Sequence, residues 1–229
     1  MKRQKLDYET RKKYFSALVI FLSLTAISFG QSALDYYNQG VSDENAGNWG
    51  GALTNYSNAI ELKPDYAFAY FRRGDVKADK GNLDGALADY TKAIELKPDF
   101  AVAYCNRASV DGAKGDLNGA LADCNKAIKL EPNLDIAYEL RGNVKDDKGD
   151  SDAALIDYTK AIKLKPDYAA AYYNRGVAKH HKGDSTGALA DYNIAISLWQ
   201  KAIQQNPGQK QKLQAWIEKA EKAKKHIAK

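Results

Sequence analysis

Tyrosine, alanine and glycine return along the chain at an interval too long for one helix or strand to set. Prolines stand at 64, 98, 132 and 166, in the settings ELKPD, ELKPD, KLEPN and KLKPD, 34 residues apart. Counted so that the proline is position 32, the units begin at Ala33, Ala67, Ala101, Asp135 and Ala169. Position 4 is tyrosine in all five units, and positions 20 and 27 are alanine in all five. Position 8 is glycine except for Ala108, and position 24 is tyrosine except for Cys124. Small residues at 8, 20 and 27 let two helices approach at one crossing, and the aromatics fill the space where neighbours stack. The expected elements are helices in pairs, one pair per period.

Turn residues divide each period in two. Gly47, Gly81, Gly115, Gly149 and Gly183 occupy position 15, where a left-handed residue ends a helix. Asn or Asp follows each one and is placed to cap the next helix. The Pro-Asp or Pro-Asn step closes the second helix and is expected to supply a cap for the following unit.

The period fails once. In NIAISLWQKAIQQNPG, residues 193–208, Gln200 stands where the other units have proline, and the alanine-isoleucine phrase returns after seven residues. Seven residues are nearly two helical turns and drift only about 20° from phase. The spacing predicts one elongated helix running to Asn206-Pro207, with Trp199, Ala202 and Ile203 kept near the old apolar face. Beyond it, Leu213, Trp216, Ile217, Ala220, Ala223 and Ile227 share one helical face, as expected of a helix that caps an array and is apolar only on its inner side.

With aromatic residues at 4 and 24, small at 8, Ala at 20 and 27 and Pro at 32, residues 33–202 resemble the tetratricopeptide repeat family. The resemblance implies an all-α fold, an α-solenoid of five antiparallel helix pairs, here with a C-terminal capping helix. It also implies a concave groove, lined by the first helix of each pair, that binds peptides or other proteins. The domain reading is residues 1–30 as a signal peptide or anchor, 33–207 as the five-unit array with its extended last helix, and 208–229 as the basic amphipathic cap.

Position 7, usually leucine in that family, is arginine in four units here, and position 23 is aspartate in the same four. The pairs are Arg73 with Asp89, Arg107 with Asp123, Arg141 with Asp157 and Arg175 with Asp191. The first unit has Gln39 and Asn55 instead. Joint change within one chain points to contact between the paired helices, a structural ion pair and not a catalytic one.

By the same resemblance, positions 2, 5, 6, 9, 12 and 13 face the groove. The candidate partner-binding residues are Phe71, Arg72, Asp75, Asp79, Asn106, Glu139, Asn143, Asp146, Asp147, Tyr173, Asn174, His180 and His181. Their carboxylates favour a basic or amphipathic segment, the rings offer flat apolar contact, and Asn106 and Asn174 can bond a peptide backbone. Family members that hold an acidic chaperone tail use several groove lysines and arginines. Arg72 is the one such cation here, so that activity is not implied.

Charge changes the picture at the two ends. Residues 1–30 hold six basic and two acidic residues, residues 31–198 twenty and twenty-five, and residues 199–229 eight and two. The pI of about 8.9 therefore describes the ends, and the body is mildly acidic. Six basic residues precede the apolar run SALVIFLSLTAISF, which is short for a membrane span of about 20 residues. Small residues Ser28 and Gly30 precede Gln31, as at a signal-peptide cleavage site. The expectation is an exported protein, periplasmic or secreted; the alternative is a membrane-anchored one, held by residues 14–30. In such a compartment Cys105 and Cys124 are compatible with a disulfide or with free thiols.

No nucleophile is paired with a base, and no glycine-rich phosphate loop or spaced metal-ligand set occurs; enzyme, cofactor and metal are not expected. His180 and His181 are adjacent on a helix and diverge by about 100°, and Arg73-Gly74-Asp75 lies inside a helix. The reading is a non-enzymatic interaction scaffold, with self-association through its ends allowed for and nucleic acid not favoured. The alternative is a membrane-tethered assembly factor whose basic C-terminal helix touches anionic membrane or nucleic acid.

Overall fold

The structure, a computed structural model, describes residues 31–227. The segment read as a signal or anchor, residues 1–30, lies outside the described residues. All regular secondary structure among them is helical, and the chain divides after Pro64 into two compact units. The first carries α1 (Ala33–Asn45) and α2 (Trp49–Leu62). The second carries α3 (Ala67–Asp79), α4 (Leu83–Leu96), α5 (Ala101–Lys114), α6 (Leu117–Leu130), α7 (Asp135–Asp147), α8 (Ser151–Leu164), α9 (Ala169–His181) and α10 (Ser185–Gln205), a 3₁₀ turn (Pro207–Gln209) and α11 (Lys210–Ile227). Consecutive helices pair antiparallel, and in the second unit the pairs stack into a solenoid that α11 closes against α10.

The turn within each pair follows its chemistry. The glycines at position 15 have φ between +73° and +87°, a left-handed backbone that costs glycine nothing. The next side chain, Asn48, Asn82, Asp116, Asp150 or Asp184, accepts a hydrogen bond from the backbone N–H three residues on and caps the second helix. The turn between pairs departs from expectation. Asp65, Asp99, Asn133 and Asp167 do not cap α3, α5, α7 and α9; the cap positions belong to Tyr66, Phe100, Leu134 and Tyr168, whose side chains do not cap the helices. Apolar packing decides this: Phe100 sets its ring 4.7 Å from that of Phe71 and 5.1 Å from that of Phe68. Burying the ring outweighs a cap worth about 1 kcal/mol.

Every alanine at positions 20 and 27 is fully buried, and so are Ala69, Ala103, Ala137 and Ala171 one residue before the position-4 tyrosines. Helix α10 runs unbroken through Gln200, as the seven-residue phrase predicts. Trp199 and Ile196 on it, with Ile217 and Ala220 on α11, form the closing core with Tyr173 and Tyr192. The exposed side of α11 carries most of its lysines.

Between the helices of each pair in the second unit, arginine and aspartate join in a two-bond fork. The distances are 2.9 and 2.8 Å for Arg73–Asp89, 2.7 and 2.9 Å for Arg107–Asp123, 2.8 and 2.7 Å for Arg141–Asp157, and 2.8 and 2.7 Å for Arg175–Asp191. Each arginine also lies over the tyrosine at position 4 of its own helix. Arg107, Arg141 and Arg175 also reach back to the preceding pair, to Thr91, Asn125 and Thr159 in turn. Lysines at position 11 add a third bond to the aspartate: Lys77 to Asp89, Lys145 to Asp157 and Lys179 to Asp191. The α5–α6 pair has Asp111 there, and burial together with the nearby Asp123 raises its pKa. In the first unit Asn55 donates to Asp43, also at position 11 (2.7 Å).

Candidate functional site

The first helices of the second unit, α3, α5, α7 and α9, present the candidate groove residues, and many of these bond to one another. Asn106 of α5 donates to Asp75 of α3 (2.8 Å), and the hydroxyl of Tyr90 donates to the same oxygen (2.9 Å). Two periods later, Asn174 of α9 donates to Asn143 of α7 (2.9 Å), and so does Tyr158 (2.9 Å). Positions 6, 9 and 24 thus form a polar link between stacked pairs. At the α5–α7 junction the corresponding residues are Leu140, Ser109 and Cys124, and the polar link is absent as a set. A hollow of about 210 Å³ lined by Ser109, Gly112, Leu140, Asn143 and Asp147 opens beside it.

The larger cleft lies at the α11 end. Its volume is about 680 Å³, within the range of ligand-binding clefts. Helix α7 contributes Glu139, Asn143, Asp146 and Asp147, and α9 contributes Tyr173 and Asn174. These are six of the thirteen candidate residues. Helices α10 and α11 complete the lining through Trp199, Leu213, Trp216 and Lys219. The rings of Trp199 and Trp216 stack at 6.2 Å, and Tyr173 meets them at 6.0 and 6.2 Å. Trp216 keeps 40% of its surface exposed on a helix otherwise turned inward by its apolar face. Lys219 lies over both Tyr173 (5.4 Å) and Trp216 (4.9 Å).

The remaining candidates lie elsewhere. Phe71 packs between Phe100 and Tyr90, Arg72 approaches Asp75 at 3.6 Å, and Asp79 is exposed at the end of α3. His181 reaches Asp146 at 3.2 Å, and Asp146 also accepts from Ser151 (2.6 Å). His180 borders a separate hollow of about 330 Å³ with Lys222 and His226. Trp216 and Lys219 are absent from the thirteen because they lie past the repeating units, and Trp199 because it stands on the second helix of its pair, not the first. Their aromatic and basic character was legible, but not their approach to α7.

Glu139 is the unusual member of this site. Five charged side chains are buried among the described residues, and the other four are the aspartates held by arginine. Glu139 is held by neutral donors: Asn143 at 2.8 Å and Asn174 at 2.6 Å on one oxygen, Tyr168 at 3.5 Å on the other. Burial raises its pKa, and the three hydrogen bonds oppose the rise without cancelling it. A carboxyl raised in the folded state lends its stability when protonated, below its unfolded value of about 4.3, and loses it as pH climbs through the folded value. Glu139→Gln keeps the shape without the charge. It is expected to raise the thermal midpoint at pH 7 by about 2–4 °C, the equivalent of roughly 1 kcal/mol. The gain should shrink toward pH 4; scanning calorimetry of both proteins across that range checks it, and a loss at pH 7 would contradict it.

Cys105 and Cys124 are free, buried thiols, and burial pushes both pKa values up to about 12. That makes them inert packing residues at neutral pH. Among the described residues no three His, Cys, Asp or Glu side chains gather as a metal site, and no helix is long and apolar enough to cross a membrane.

Residues 45–81, 74–110 and 142–183 match a family model described as TPR repeat, and residues 101–134 match one described as tetratricopeptide repeat. Together these matches span more than half of the chain. No curated protein matches the sequence. Among solved structures, MamA protein is 25% identical, with 78% of this chain and 97% of that one covered and a TM-score of 0.63. YrrB, described as a TPR protein with an unusual peptide-binding site, is 25% identical, covering 76% and 91%, with a TM-score of 0.60. TTC0263, a thermophilic TPR protein of Thermus thermophilus, shares the fold at 20% identity, covering 82% and 98%, with a TM-score of 0.65.

Proposed function

Because the chain belongs to the tetratricopeptide-repeat family, we propose that it is a non-enzymatic scaffold that holds a segment of a partner protein along the α3, α5, α7 and α9 face. The observation that carries this reading is the cleft of about 680 Å³, where acidic groove residues of α7 face an aromatic wall from α9, α10 and α11. Such a surface favours a basic or amphipathic segment: carboxylates steer a cation in, and aromatic faces hold apolar or cationic side chains. YrrB, with its peptide-binding site on a similar fold, makes peptide binding a reasonable use of this one. Export, with residues 1–30 as signal or anchor, belongs to the same proposal. The apolar run after six basic residues supports it.

Asp147 is exposed, and Asp146 lies beside it at the cleft. A partner recovered with the wild-type protein is expected to be lost, by about tenfold or more in affinity, from the Asp146→Lys, Asp147→Lys double variant. Equal affinity for both proteins in a titration with the purified partner would overturn the acidic-groove reading. N-terminal sequencing of the native protein separates the cleaved from the anchored form.

A further inference from the structure

We propose that the cleft between α7, α9 and α11 takes one lysine side chain from an extended partner peptide, and that Lys219 occupies part of that place while the cleft is empty of partner. The inference rests on the groove reading above and deepens it by naming the group that is recognised.

Two independent features meet in the cleft. The first is Glu139, a buried carboxylate whose hydrogen-bond partners are all neutral, whereas among the described residues each other buried carboxylate has an arginine. A buried carboxylate without a counter-ion is costly, and a ligand cation would remove that cost. The second is Lys219, a cation already lodged over the faces of Tyr173 and Trp216. The position is favourable for an alkylammonium, whose stem lies on the rings while its head carries the charge. Rings and carboxylate line the same cleft.

The hydrogen bonds at Glu139 select the kind of cation. One carboxylate oxygen already accepts from both Asn143 and Asn174, which uses its two lone pairs. The other receives one long bond of 3.5 Å from Tyr168. Only that oxygen has capacity to spare, which suits the single point charge of an ammonium and not the two-bond fork of a guanidinium. The volume of about 680 Å³ exceeds one side chain, so residues flanking the lysine enter too, with Asp147 at the rim.

Selection of random twelve-residue peptides on the full-length protein tests this, followed by fluorescence titration of each selected peptide on the Trp49→Phe background, which leaves Trp199 and Trp216 as reporters. Selected peptides are expected to share a lysine whose replacement by norleucine weakens binding about tenfold or more, and whose replacement by arginine also weakens it. Glu139→Gln should lose about tenfold. Lys219→Met should bind the same peptides several-fold tighter by removing the competitor, and Lys222→Met, an equal loss of charge on the same helix, should change little. Peptides that bind without a lysine requirement, or equally well to Glu139→Gln, overturn the lysine inference and leave the groove reading standing. Recovery of no binding peptide at all overturns both.

Discussion

Asp157→Ala is expected to destabilise the protein by about 3 kcal/mol, lowering the thermal midpoint by roughly 6–12 °C. Asp157 is 2% exposed and accepts the Arg141 fork and the Lys145 ammonium together. Its removal leaves two like charges facing one another over a small cavity. The figure sits at the low end of the range for broken buried pairs because Arg141 and Lys145 keep 20% and 24% of their side-chain surface in water. Asp123→Ala makes the comparison. There Arg107 is the cation at the fork, and Asp111 lies near enough to raise the Arg107 pKa further, so the stranded guanidinium keeps a counter-charge. Its cost should be clearly smaller. Denaturation followed by hydrogen exchange resolves the two helix pairs, which matters in an array whose pairs need not unfold together. Equal losses for the two variants would show that the position-11 side chain has no effect.

Much of this architecture was legible because repetition exposes what single positions conceal. Five tyrosines at position 4 and ten alanines at positions 20 and 27 mark the packed faces, and four joint occurrences of Arg and Asp mark the fork. The run-on of α10 through Gln200 was legible from helical phase alone. The cap between pairs was misread, since Asp and Asn after proline carry a strong turn signal, and the packing of Tyr66, Phe100, Leu134 and Tyr168 is not visible locally.

The site was legible in kind and not in arrangement. A periodic reading puts Asp75, Asn106, Asn143 and Asn174 on the groove, but it does not show that they bond across the junction of two pairs, because that depends on the stacking distance between first helices. Nor does it place Trp216 and Lys219 in the same cleft as Glu139. They follow the last repeat, and only the packing of α11 on α10 fixes which way they face.

The exception at the third unit gives the other large prediction. In the other four units the glycine at position 8 touches the tyrosine at position 24: a Cβ on Gly142 would lie 2.6 Å from the Tyr158 ring, and one on Gly40, Gly74 or Gly176 would lie 2.6 to 2.8 Å from its own tyrosine. The third unit has Ala108 with Cys124, so a larger residue on one helix accompanies a smaller one on the other. Gly142→Ala should gain about 1 kcal/mol of helix propensity and lose about 3 kcal/mol to the clash, since the Tyr158 ring is 2% exposed and has nowhere to go. The net loss of about 2 kcal/mol should reverse in a Tyr158→Cys background. There the ring is gone, the added methyl enters free space, and the same substitution should stabilise by about 1 kcal/mol. Thermal midpoints of the wild type, the two single variants and the double variant close the cycle. A Gly142→Ala effect of the same sign in both backgrounds would mean that the glycine serves something other than the ring.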